Sequence, residues 1–170
     1  MANKTITINV SVQSIEKAIH ELEVYKVRLE QRLNELIDRM CKDGESYAII
    51  NYPQDYIDTG GTLGSIMAYR QGNQGIIEVG GNAIWIEFGT GVAMNGADDF
   101  HDRSLLGINE IGTYGKGHGS DPHGWWYYDE NDHNKLKHTY GLRMSPFMSQ
   151  AAHRLEQEFK TKAKEVFAKQ

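Results

Sequence analysis

The sequence predicts an α+β fold, a mixed or antiparallel β-sheet packed against a long N-terminal helix and a C-terminal helix, with a long Gly/Asp/His-rich loop. Three observations predict it. Apolar residues recur at helical spacing near both ends, from Ile15 to Met40 and from Phe147 to Phe167. Sixteen of the eighteen glycines lie between Gly60 and Gly124, so the middle is the place for turns and strands. From Gly91 to Gly124 no period is sustained, and that stretch is too long for an ordinary connection. A chain of 170 residues is expected to make one domain, 1–170, around a single core.

Thr5 to Val12 alternates, with Ile6, Ile8, Val10 and Val12 on one side and Thr5, Thr7, Asn9 and Ser11 on the other, which predicts a half-buried strand. Ser14 offers an N-cap oxygen to a helix over 14–40. The apolar stripe of this helix, Ile15, Ile19, Leu22, Leu29, Leu33, Leu36 and Met40, is nearly heptad, and Lys26 takes the one missing apolar place. The stripe can line a partner helix, the chain's own sheet or a neighbouring subunit.

The region 47–90 is expected to hold strands and a hairpin. Tyr47 to Asn51 is a candidate strand, and Ser65–Arg70 with Gly75–Val79 reads as a hairpin across Gly72-Asn73, a pair suited to positive φ. Ala83 to Phe88 is too short to separate helix from strand. In 125–142, Trp125–Asp129 and Lys137–Leu142 read as strands facing each other across the polar turn Glu130 to Asn134, completing the sheet. Ser145 as N-cap and Pro146 as first helical residue open a helix over 146–168. Its apolar face is Phe147, Ala151, Leu155, Phe159, Ala163 and Val166 or Phe167, and its far face is basic: Arg154, Lys160, Lys162, Lys164 and Lys169.

A net charge of -5 and a pI near 5.8 argue against a protein whose task is to neutralise phosphates. The single cysteine, Cys41, makes no internal disulfide and suits a reducing compartment. The N-terminus lacks the apolar run of a secretory signal, and no apolar stretch approaches the ~20 residues of a membrane span, so a cytosolic protein without membrane contact is expected.

Catalytic and ligand-binding patterns are weak. His101, Asp102, His118, Asp121 and His123 put nitrogen and oxygen ligands into one loop, and a metal- or ligand-binding module on 101–123 is the alternative reading. No His-Glu-x-x-His pairing supports it. The glycines around Lys116 miss the phosphate-loop spacing, and no Gly-x-Ser-x-Gly elbow is present. Glu78 and Glu87 are available as a carboxylate pair, but no signal of a cleft accompanies them. The chain is expected to be no enzyme and to carry no cofactor or metal.

Three segments in one order carry more: Asp58-Thr59-Gly60-Gly61-Thr62-Leu63-Gly64-Ser65-Ile66, Ala83-Ile84-Trp85-Ile86-Glu87-Phe88-Gly89-Thr90-Gly91 and Gly141-Leu142-Arg143-Met144-Ser145-Pro146-Phe147-Met148. A Thr-Gly turn opening a strand, an aromatic stretch ending in Glu-Phe-Gly-Thr, and a basic segment running into Pro-Phe at the start of a last helix resemble the neck proteins of long-tailed bacteriophages. These are small head-tail joining or tail-completion subunits. The chain departs from the family pattern in having no basic residue just after the Thr-Gly turn, and in Ser145 before Pro-Phe.

The resemblance implies a small α+β domain whose copies form a ring, with a hexamer as a candidate size, around the channel through which DNA leaves. Its partners would be itself and other neck or tail proteins, its place the virion, and the host cytoplasm during assembly. DNA would pass without specific binding, in keeping with the acidic balance. The candidate subunit or partner contacts are Glu87, Phe88, Gly89 and Thr90, the aromatics Trp125, Trp126 and Tyr128, and Arg143, Pro146 and Phe147, since large rigid aromatics flanked by polar loop have the composition of contact hot spots. Phe88 is expected to be buried, which leaves Glu87 in need of a partner, for which Arg143 is the candidate. The acidic loop 91–124, with Asp98, Asp99, Asp102, Glu110 and Asp121 against Arg103 and Lys116, is expected to gain order on contact with a partner.

Overall fold

The computed structural model describes residues 11–54, 61–90, 123–129 and 132–168. Residues 5–10 of the predicted strand Thr5–Val12, most of the loop 91–124 with His101 and His118, and the first two residues of the predicted turn Glu130 to Asn134 lie outside the described residues. The fold is α+β, built on one long helix, α1 (Val12–Asn51), which spans 40 residues and so about 60 Å.

Helix α1 begins two residues earlier and ends eleven residues, about three turns, later than expected. Ser11, extended at φ -135°, is the cap, and its Oγ accepts from the Ser14 N–H at 3.3 Å; Val12 is therefore helical, not the end of a strand. The expected strand Tyr47–Asn51 is instead the last stretch of this helix. Gly44, inside this continuation, is a crossing point. A Cβ there would overlap the Ile77 side chain and lie 2.8 Å from Leu155 Cδ1, so glycine lets two neighbouring elements approach the helix. The helix stops at Tyr52, because Pro53 disfavours the helical conformation in the residue before it.

A single 3-10 turn (Leu63–Ser65) leads into the hairpin β1 (Met67–Gln71) and β2 (Gln74–Glu78), paired from Met67↔Glu78 to Gln71↔Gln74. The two-residue turn falls at Gly72-Asn73 as expected. Only Gly72 takes positive φ, 60°, which places glycine first, as in a type II′ hairpin turn. The hairpin lies across the middle of α1, where the Cys41 Sγ–H donates to the Tyr69 carbonyl at 3.4 Å and Arg70 meets Asp38 and Asn34 at 2.9 and 3.1 Å. Cys41 is a packed thiol, and burial pushes its pKa up.

Ala83–Phe88, ambiguous in sequence, is a short helix, α2. The second hairpin pairs β3 (Trp125–Asp129) with β4 (Asp132–Thr139). Two expectations are corrected here. Strand β4 runs from Asp132 to Thr139 rather than from Lys137 to Leu142, because the ladder is made by backbone groups, which a run of polar side chains facing solvent does not interrupt. The two hairpins also form separate two-stranded sheets and do not complete one sheet; α1, not a sheet, is the spine of the molecule.

Helix α3 (Phe147–Ala168) runs antiparallel to α1. The Tyr47 hydroxyl donates to Glu158 Oε2 at 2.6 Å, Lys162 Nζ reaches Asp43 at 2.7 Å and Glu158 at 3.1 Å, and Arg32 Nη1 donates to the Phe167 carbonyl at 3.0 Å. Lys162 thus belongs to the packed side of α3 and not to an outer basic face. Arg154 lies over the Tyr47 ring, 3.9 Å from its centroid, and also holds Glu158 at 3.1 Å. Phe147, Ala151 and Val166 are buried as expected, whereas Phe159 is 49% exposed.

Three donors hold the Glu158 carboxyl down to a pKa of about 2, the Tyr47 hydroxyl contributing most, then Arg154 and Lys162. A carboxyl lowered in the folded state stabilises fully above its unfolded pKa, near 4.5, and loses that contribution as pH falls towards 2. The thermal midpoint is therefore expected to fall over this window with a shallower slope in Glu158→Gln. Equal slopes in the two proteins would show that this contact does not link folding to pH. No helix among the described residues is long and apolar enough to cross a membrane.

Candidate functional site

The described parts of the three motif segments meet around α2. Thr62, fully buried, accepts from the Asn82 N–H through Oγ1 at 2.9 Å, just before α2 begins. Ser65 Oγ donates to the Thr62 carbonyl at 2.7 Å and accepts from the Gly80 N–H at 2.9 Å. One threonine and one serine, three residues apart, thereby tie the end of the first segment to the start of the second. Sequence reading missed this role; the Thr-x-x-Ser spacing was its only trace.

The second and third segments are stitched together more closely. The Thr90 N–H donates to the Leu142 carbonyl at 2.8 Å while Thr90 Oγ1 accepts from the Leu142 N–H at 2.9 Å, and the Ser145 N–H donates to the Ile86 carbonyl at 2.9 Å. Gly89 sits between them at φ 68°, and a Cβ there would come within 2.7 Å of both Leu142 O and Met144 N. Any side chain at this position has to push the two segments apart.

Glu87 is the polar centre of the site. Its carboxylate is buried and accepts from the Met148 N–H at 2.9 Å, the Ser149 N–H at 3.0 Å and the Ser149 hydroxyl at 2.6 Å. These N–H groups belong to the first turn of α3, which has no carbonyls of its own to satisfy them, and a carboxylate at that end also suits the helix dipole. Glu87 caps α3 from another element. The expected pairing with Arg143 is thereby corrected: Arg143 is exposed, and α3 holds the carboxylate. Pro146 is buried immediately before α3 and its carbonyl accepts from Gln150 at 2.9 Å, so it serves as the last residue before the helix rather than the first within it.

Phe147, fully buried, joins Ala48, Tyr52, Ile66, Ala83, Ile86 and Ala151 in the core, meeting the Tyr52 ring edge-on at 5.3 Å. Of the ten residues singled out in the sequence, Glu87, Phe88, Gly89, Pro146 and Phe147 are buried within this chain, and Thr90 and Trp125 are half-buried. The surface ones are Trp126 (65% exposed), Tyr128 (61% exposed) and Arg143. The buried members organise the fold.

Trp126 and Tyr128 share one face of the β3–β4 hairpin, and Tyr127, also exposed, lies on the other. Trp126 stands opposite His138 and Tyr128 opposite Leu136, and the Trp126, His138 and Tyr140 rings follow one another edge-on with centroids 4.9 Å apart. Glu78 and Glu87 are engaged separately, Glu78 by the Tyr69 hydroxyl at 3.1 Å on the outer hairpin. Among the described residues no three His, Cys, Asp or Glu side chains come together as a metal site. The arrangement is suited to rigidity and contact. No family model, curated protein or solved structure matches the chain.

Proposed function

We propose that this chain is a structural subunit of a tailed bacteriophage or prophage virion, joining or completing the tail at the head-tail junction through protein-protein contacts. The observation that carries the proposal is the order and mutual packing of the three motif segments. Their buried residues bind one another around α2, and the neighbouring hairpin offers Trp126 and Tyr128 to a partner. Aromatics of this size on a rigid support are suited to anchor a subunit contact. In a ring the acidic balance would let DNA pass without being held.

The test is genetic and structural. Deleting the gene from the phage that encodes it is expected to leave full heads and tails unjoined in electron micrographs. The wild-type chain restores joined particles, and Trp126→Asp does not. Trp126→Asp gives up the ring contact with His138 and should cost about 1–2 kcal/mol, so a wild-type circular dichroism spectrum of the variant is the control that makes failure to restore a failure of contact rather than of folding. Joined particles in the deletion strain would refute the assignment.

A further inference from the structure

The first half of α1 carries an apolar stripe that the other described residues leave exposed. Helix α3 ends opposite Arg32, and α1 continues beyond it for residues 12–31. Along that stretch Ile15, Ile19, Leu22 and Leu29 are 45–54% exposed, and only Ala18 is buried. From Leu36 onwards the same stripe turns into the chain's own core.

We propose that in the free protein this seam is covered by the same segment of a second copy, the two helices running parallel as a two-stranded coiled coil. Steps of three and four alternate from Val12 to Leu36. One set of inward places holds Val12, Ile19, Lys26 and Leu33, and the other holds Ile15, Leu22 and Leu29, the seam ending where Leu36 enters the chain's own core. Val12 and Ile19 in the first set with Leu22 and Leu29 in the second follow the β-branched and leucine pattern that favours two parallel strands, and a single lysine in the first set fixes register at some cost in stability. Lys26 Nζ already lies 3.9 Å from Glu30 at the flank, which shows how its charge can leave the seam.

The flanking charges choose the direction. One flank carries Glu16, Glu23 and Glu30, the other Ser11, Ala18, Tyr25 and Arg32. Antiparallel helices would set the glutamate flank against itself, with three carboxylates facing three. Parallel helices set Glu16 against Ser11, Glu23 against Ala18 and Glu30 against Tyr25 of the second copy, with no like charges opposed. A two-fold pair differs from the head-to-tail contact of a cyclic ring. The inference therefore concerns the free subunit and does not rest on the neck reading.

Light scattering on a size-exclusion column, with the full chain over a range of concentrations, tests it. The wild type is expected to pass from monomer to dimer, Leu22→Glu to stay monomeric with an unchanged circular dichroism spectrum, and Lys26→Ile to dimerise with a dissociation constant at least about tenfold lower. Ile15→Cys should form a disulfide between copies on oxidation, which parallel helices in register permit; Cys41 is buried and does not compete. Wild type and Lys26→Ile both monomeric throughout would overturn the proposal. A dimer or ring that survives Leu22→Glu would overturn it too, while leaving the neck reading intact. Absence of the Ile15→Cys cross-link would overturn the parallel direction.

Discussion

Phe147→Ala is expected to lower the free energy of unfolding by about 3–5 kcal/mol, the range for truncating a large aromatic in a core. The ring is fully buried, and Ala48, Ala83 and Ala151 are among its companions in the cluster. Alanines cannot swing into a void, so the cavity stays largely open. The edge-on contact with Tyr52, 5.3 Å between centroids, is lost as well. Against a domain stability of roughly 5–15 kcal/mol such a loss is a large fraction of the whole. Urea unfolding followed by circular dichroism measures it; a change under about 1 kcal/mol would show that the core is not built around this ring.

Glu87→Ala is expected to cost about 3 kcal/mol, because it removes three hydrogen bonds to a charged acceptor and leaves two helix N–H groups without it. Glu87→Gln keeps one acceptor oxygen but turns an amide N–H₂ towards donors, so it should recover only part of the loss. Ser149→Ala removes one of the three contacts and should cost about 1 kcal/mol. The double change should then cost less than the sum, since both act on one interaction. Strict additivity in urea unfolding would mean that Glu87 stabilises the protein by some route other than capping α3.

The helices were legible from sequence and their limits were not, for a reason visible at particular residues. The stripes Ile15–Met40 and Phe147–Phe167 repeat over many turns, so their period is unmistakable. The end expected at Met40 is where the apolar stripe stops, yet the helix runs on through Gly44, where Ile77 and Leu155 press against it. Lys162 was placed on an outer face for its charge, yet Asp43 and Glu158 draw it inwards. The turn at Gly72-Asn73 was legible because two residues of local chemistry are enough to specify it.

For the site, the sequence pointed to the right segments and assigned several of their residues a different task. Glu87 and Phe147 stood out as contact residues, and the fold buries them; Phe88 is buried as expected, and Trp126 and Tyr128 lie exposed. Period and turn chemistry act over a few residues, and they suffice for an α+β chain with two framing helices and a hairpin at Gly72-Asn73. Whether Glu87 meets Arg143 or the first turn of α3, and whether the hairpins join into one sheet or stay apart around α1, depends on contacts between residues as many as 62 positions apart. Such contacts form only when packing brings the elements together, and no local pattern encodes which partner a buried carboxylate will find.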